Sequence, residues 1–454
     1  MHKAQKFYSD PRLQEAKKLV LSALTEAQKE FSGVEAPKEA YLVEYETLLE
    51  DFLKTRGYPL YYPFIGSGLG KGALVELLDG SVKYDLISGI GVHYFGHSSP
   101  EIIQRTLDAA VNDTVMQGNL QQNHDSLVLS QLLCAVSGLD HCFLSSSGAM
   151  ACENALKIAF QKKHPATRVL AFDRAFAGRT LALSQITDKP SFREGLPPTL
   201  VVDYLPFFDP KDPEESEKRT LTALKNHIRR YPKQHAVMIF ELVQGEGGFW
   251  TATSDYFKNI IQLLKEHEIA VWIDEVQTFA RTHELFAFQH FDLEGLVDIV
   301  SIGKVSPCCA TLFRKEYCPR VGLLSQTFTA ATSSIRVAKF TIEHTMQNGF
   351  FGPDGKIAKL HQAFTQGLAR LHEQYGCVVG PYGLGTMIAF TPFDGTEEQA
   401  KAFVQKLFSN GVMSFVAGTH PTRVRFLLPV AAMGLEDLAP IFAIIEKTIQ
   451  ESLS

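Results

Sequence analysis

The sequence predicts an α/β protein, with a large domain built on a mainly parallel sheet between helices and a smaller α+β domain after it. Two observations carry this expectation. From about residue 140, β-rich apolar runs of roughly four to eight residues alternate with amphipathic helical spans, the texture of βα units whose sheet is covered on both faces. From about Val337 the texture changes to a long helical region leading into KIAKLHQAFTQGLARLHEQYG, then to the β-rich GTMIAFTPF and TRVRFLLPV and closing helices.

Along the chain, the first sixty residues are helical in pattern and rich in charge, as in QEAKKLVLSALTEAQKEF, and they end in the aromatic, proline-bearing YPLYYPFIGSG. The alternating part follows: HCFLSSSG then AMACENALKIAFQK; RVLAFDRAF; AVMIFELVQ then SDYFKNIIQLLKEHE; IAVWIDEVQ; and VDIVSIGK. DPKDPEESEK, at 209–218, reads as an exposed charged loop. The expected division is an N-terminal segment over 1–85 that contributes to the small domain, a large domain over 86–340 and a C-terminal small domain over 341–454.

Composition narrows the class. The chain has 454 residues, 45% of them hydrophobic, enough for a large core, and its formal net charge of −6 leaves no basic footprint for nucleic acid. The opening MHKAQKFYSDPRLQEAKK has no apolar signal core and no stretch approaches a membrane span, so a soluble, cytoplasmic protein is expected. Seven cysteines without a C-x-x-C spacing argue for reduced thiols and no metal site, with Cys308 and Cys309 as small packing residues.

In a parallel sheet of this kind ligands sit beyond the carboxyl ends of the strands, so polar residues just after them should converge. DIVSIGKVSPCC delivers Lys304 to such an end, before a turn at Ser306 and Pro307. An amine there loses hydration and its pKa falls, which makes a nucleophile. IAVWID ends in Asp274, thirty residues before Lys304, about one crossover away. Taken alone, Asp274 is explained as readily by capping the next helix or pairing with Lys304 as by a role in chemistry.

After HCFL, the small residues Ser145 to Ala149 run straight into a helix. That is an ordinary Ser N-cap or, with Gly148 admitting an anion, a phosphate cradle. In DRAFAGRT, Phe176 beside Gly178 is a core aromatic or one that lies flat on a ring. A phosphate site, a carboxylate, a flat aromatic and a desolvated lysine together fit one ligand, pyridoxal 5′-phosphate (PLP).

These residues resemble the class-III aminotransferases, a branch of the fold-type-I PLP enzymes that includes ornithine, acetylornithine and 4-aminobutyrate aminotransferases. DLISGIGVHYFGHSSPEI is similar to the family's entry motif, SSSGAMACENALKIA to its phosphate loop and helix, FAGRT to F-H-G-R-T, and ELVQGEGG to E-P-x-Q-G-E-G-G. IDEVQTFART resembles D-E-V-Q-T-G-x-G-R-T, and DIVSIGK the strand with the Schiff-base lysine. They fall in the family's order across roughly 75–430.

The resemblance implies a seven-stranded-type large sheet and transamination, with Lys304 carrying PLP as an aldimine and shuttling the proton. It implies Asp274 as partner of the ring nitrogen, Gln277 on the phenolic oxygen, Phe176 on the ring, and Ser147, Gly148 and Ala149 on the phosphate. Thr327 matches a threonine that reaches the neighbouring subunit's phosphate, which implies a homodimer with shared active sites, the segment 1–85 taking part in it. Arg425 matches the arginine that grips a substrate carboxylate, and Glu246 the glutamate that covers this arginine when an ω-amine enters. The expected acceptor is 2-oxoglutarate. Racemases, aminomutases and decarboxylases share the scaffold, and a PLP-holding protein without turnover is the reading from another class.

The sequence departs from the family at several points. The His of F-H-G-R-T is Ala177, and E-A-N-E reads Met150, Ala151, Cys152, Glu153. The glycine-rich stretch after the lysine is Val305 to Cys309, and G-G-N-P is Thr329 to Thr332.

Overall fold

A computed structural model describes residues 2–453 and shows two compact units. One comprises Asn112–Lys359 and Tyr382–Met387, and the other the remainder of the chain.

The first unit is built on seven strands: β1 (His141–Ser145), β2 (Arg168–Phe172), β3 (Val201–Leu205), β4 (His235–Phe240), β5 (Ala270–Glu275), β6 (Ile299–Ile302) and β7 (Cys309–Phe313). Their order in the sheet is β1-β7-β6-β5-β4-β2-β3. β7 alone runs against its neighbours, antiparallel to both β6 and β1, while the other pairs are parallel. β4, β5 and β6 are buried along their whole length, which is why HAVMIF, AVWIDE and IVSI read as near-continuous rather than alternating apolar runs.

Two strands are absent from the sequence reading. VVDYL follows a Pro-Pro pair and has an exposed first residue, and CATLF begins directly after the turn at Ser306 and Pro307. The charged loop over 209–218 is corrected as well. A helix begins inside it at Pro213 and continues to Arg230, with proline in the first turn and Glu214 and Glu215 where the helix dipole favours acids.

The second unit carries two four-stranded sheets. One orders Gly66–Lys71, Leu74–Leu77, Val82–Asp85 and Val412–Met413; the other orders Val378–Leu384, Met387–Pro392, Arg423–Leu427 and Phe415–Ala417. Phe364, Phe426 and Phe442 meet at its centre, ring centroids 5.0 Å apart in each pair that Phe364 makes. Helix Pro11–Ala27 buries no residue fully and is tied to helix Pro100–Ala110 by Lys17 and Asp108, 2.6 Å apart.

The dividing lines fall at Val111/Asn112 and Lys359/Leu360, later than the sequence boundaries after residues 85 and 340. The reason at the far boundary is local: helix Thr332–Gln347 runs beside helix His124–Ser137 in the sheet unit, joined to it by Arg336 and Asp125 at 2.9 Å. Among the described residues, no helix is long and apolar enough to cross a membrane. The cysteines are free thiols, with Cys308 and Cys309 buried.

Candidate active site

The carboxyl ends of four strands of the large sheet, β1, β4, β5 and β6, deliver the polar residues, and that of β2 leads to Phe176. β1 ends one residue before Ser146, and Ser147 caps helix Gly148–Lys163, its Oγ accepting from Met150 N at 3.2 Å. The hydroxyl proton of Ser147 is thereby left to point elsewhere. As at any helix start, the first N–H groups, those of Gly148 and Ala149 among them, have no intrahelical acceptor.

Lys304 lies two residues past β6, half-buried, with a φ of 53°. Left-handed backbone in a side-chain-bearing residue costs roughly 1 kcal/mol and is held by surrounding structure at places where it is needed. The glycine before it shows how closely the segments meet. A Cβ on Gly303 would come within 3.2 Å of Val276 and 3.4 Å of the Gly148 Cα. A Cβ on Gly148 would reach Val276 Cγ1 at 2.8 Å. The lysine turn, the helix cap and the end of the Asp274 strand therefore share one point.

Asp274 is buried at the end of β5, paired in register with Ser301 of β6. Its Oδ1 accepts from Val276 N at 2.9 Å and from Ser301 Oγ at 3.1 Å, and Oδ2 lies 3.5 Å from Cys152 Sγ. Burial pushes this carboxyl above its ordinary value, opposed by the three donors and by the nearby Lys304 charge. Three positions on, Gln277 is buried, and its Oε1 has no hydrogen-bond partner among the described residues. The same amide crosses Gly245, where a Cβ would meet it at 2.5 Å.

Phe176 sits half-buried in the loop after β2, and its N–H donates to Glu241 Oε1 at 2.7 Å. Glu241, directly after β4, also accepts from Gly245 N at 3.1 Å, so one carboxyl ties the Phe176 loop to the segment behind Gln277. Desolvation first, and the Asp274 charge second, push it up to about 8. Glu246 is half-buried in the turn between strands Val243–Gln244 and Trp250–Thr251.

Thr327 is exposed, with its carbonyl oxygen packed against Gly118. Arg425 belongs to the second unit, on the inner strand Arg423–Leu427. It is fully buried, with its guanidinium 5.5 Å from the centre of the Phe415 ring, and Arg423 is buried too, so neither is an edge arginine in solvent.

The family description "Aminotransferase class-III" matches residues 64–449. The chain is a class-III aminotransferase. Among its relatives, the acetylornithine aminotransferase of Methanocaldococcus jannaschii is 31% identical over 386 residues, 80% of this chain and 87% of that enzyme. That of Archaeoglobus fulgidus is 29% identical over 368 residues, 80% and 89% of the two chains. Among solved structures, lysine aminotransferase from M. tuberculosis in its internal aldimine form superimposes with a TM-score of 0.77 at 21% identity, over 92% of this chain and 100% of that one. Ornithine aminotransferase from Toxoplasma gondii gives 0.77 at 22%, over 90% and 95%. These two likenesses are of fold.

A class-III aminotransferase is a transferase that uses PLP. The residues here fit that cofactor: an open glycine-bearing helix cap for a phosphate, a buried carboxylate for a ring nitrogen, and in Gln277 a buried polar atom left for another partner. Sequence reasoning missed Glu241 and Ser301, and named Cys152 only as a departure from the family motif. Glu241 was legible as a strand-end acid in ELVQ, and Ser301 as the residue opposite Asp274 once the strands are aligned.

Proposed function

We propose that this aminotransferase moves an amino group from an amino acid or ω-amine donor to 2-oxoglutarate in two half-reactions, with Lys304 as the lysine that holds PLP. The observation that carries the reading is the meeting of the Lys304 turn, the Gly148 helix cap and the Asp274 strand end at Val276. When bound, PLP supplies an electron-withdrawing ring that accepts the charge left when the donor carbon loses its proton.

The chain's residues do the rest. Ser147 Oγ and the Gly148 and Ala149 N–H groups hold the phosphate at the positive end of a helix. Asp274 would keep a proton on the ring nitrogen, Gln277 would hydrogen-bond the phenolic oxygen, and Phe176 would stack on the ring. Lys304 Nζ would hold PLP and, once released from it, would move the proton between the donor carbon and the cofactor side, acting as base and then acid. Two half-reactions through one lysine imply ping-pong kinetics.

Thr327 serves the phosphate of a second copy, so the working enzyme is a homodimer in the cytoplasm. Thr327, Val115, Leu120 and Phe328 line one cavity of about 1030 Å³, and the three apolar side chains are exposed, a surface suited to being covered by a partner. Arg425 would grip the acceptor's carboxylate, and Glu246 would set the preference for a donor with a remote terminal amine. Relatives named for acetylornithine and succinylornithine support a donor of that kind.

The test is a panel of amines scored in single turnover by loss of the cofactor's visible band. Reaction with terminal amines that also carry a remote carboxylate is expected. Reaction only with α-amino acids, or only with amines lacking a carboxylate, contradicts the assigned donor.

A further inference from the structure

Behind Asp274 lies a chain of buried donors with a fixed direction. The indole N–H of Trp272 is 3.0 Å from Ser301 Oγ, and an indole only donates, so Ser301 must accept from it. The serine proton is then directed to Asp274 Oδ1, 3.1 Å away. With Val276 N–H also on Oδ1, that oxygen has two good donors. Oδ2 is treated differently: among the described residues its contact is the Cys152 thiol at 3.5 Å, a weak donor. The same thiol is 3.5 Å from Ser301 Oγ, which closes the group.

A buried carboxylate needs hydrogen bonds merely to be tolerated. Burial alone does not explain why one oxygen is doubly satisfied and the other left with a sulfur. We propose that Trp272, Ser301 and Cys152 form a positioning relay that locks Asp274 through Oδ1 and reserves Oδ2 for the N–H of the cofactor ring. Ser301 is the centre of the relay, because it touches the indole, the thiol and the carboxylate. None of the three touches the cofactor; each acts through Asp274. The inference rests on the reading of Asp274 as partner of the ring nitrogen.

The test measures PLP affinity of the cofactor-free full chain against pH, by titration of the visible band. Binding requires Asp274 to be ionised, so affinity falls on the acid side where the empty carboxyl takes up a proton. The charged and titratable groups facing it are Lys304 after β6, Glu241 after β4, Glu275 beside it and Cys152 on the helix, and all are kept in Ser301→Ala. Ionisations of PLP itself are common to every variant.

Ser301→Ala removes one of three donors that lower the Asp274 carboxyl, so its acid limb should move up by about one pH unit, a tenfold weaker affinity at a pH on the limb. Cys152→Ser gives Oδ2 a stronger donor in nearly the same volume and should move the limb down. Opposite shifts support the relay. Limbs for both variants within about 0.2 pH unit of wild type, in chains that melt normally, overturn it. Asp274→Asn separates the two layers: wild-type affinity and turnover in that variant would remove the reading beneath the relay, whereas a damaged Asp274→Asn beside unshifted serine and cysteine variants removes the relay alone.

Discussion

Asp274 and Ser301 stand opposite each other on adjacent parallel strands, and the serine hydroxyl lies 3.1 Å from Oδ1 of the carboxylate. This pairing ties the residue assigned to the ring nitrogen to the strand that delivers Lys304 two residues beyond its end. An acid is thereby kept in a dry place where its charge has the greatest effect.

The charge of Asp274 is the first thing to remove. Asp274→Asn keeps the shape and loses the ion, so the ring becomes a poorer acceptor of charge. Turnover should fall by roughly two powers of ten or more, the scale of losing a well-placed charge-stabilising contact. Steady-state rates with saturating PLP check this, and near-normal turnover would mean that the strand ends are misassigned.

Glu241 makes a prediction about pH. Its carboxyl is pushed from the ordinary 4.5 up to about 8, chiefly by burial. The folded chain therefore binds more protons than the unfolded one between those values, and this group's contribution to stability declines as pH rises from about 4.5 to about 8. In the cofactor-free chain, Glu241→Gln should flatten that part of the decline, seen as a melting-temperature difference from wild type that moves in favour of the variant between pH 5 and pH 8. Parallel curves for the two proteins would contradict the raised value.

The meeting point of the three segments can be loaded sterically. A methyl on Gly148 would lie 2.8 Å from Val276 Cγ1, and a β-branched side chain has little room to turn away. Gly148→Ala should cost about 1–3 kcal/mol of stability and weaken PLP binding. Val276→Ala in the same chain should recover part of both, measured by denaturant melts and PLP titration. Additive losses in the double variant would place the two residues apart.

Much of this was legible in the sequence because strand ends announce themselves. DIVSIGK, IAVWID and HCFLSSSG each join a buried apolar run to a polar residue, and the structure sets Lys304 and Ser147 just past β6 and β1 and Asp274 in the last residues of β5. What escaped was of two kinds. β3 and β7 are flanked closely by prolines and turn residues, so local pattern does not separate them from loop. Glu241, Ser301 and Trp272 gain their meaning from neighbours 27 to 65 positions away, and register across strands is not written in either strand alone. The helix at Pro213 was missed for another reason, since its acidic first turn looks like a solvated loop until the proline is read as a start.

Arg425 tests the acceptor side. A lysine can replace its charge but not its planar fork, so Arg425→Lys should slow the 2-oxoglutarate half-reaction by about tenfold or more while changing the amine half-reaction less. Equal effects on both halves, in stopped-flow single turnovers, would remove the carboxylate-gripping role.

The central claim is that Lys304 holds the cofactor. Its most direct measurement is borohydride reduction of the PLP-loaded chain, followed by proteolysis and mass spectrometry of the labelled peptides. The account predicts one pyridoxyl group, on the peptide containing Lys304, and none in Lys304→Ala. A label on a different lysine, or an unchanged label in Lys304→Ala, would contradict it.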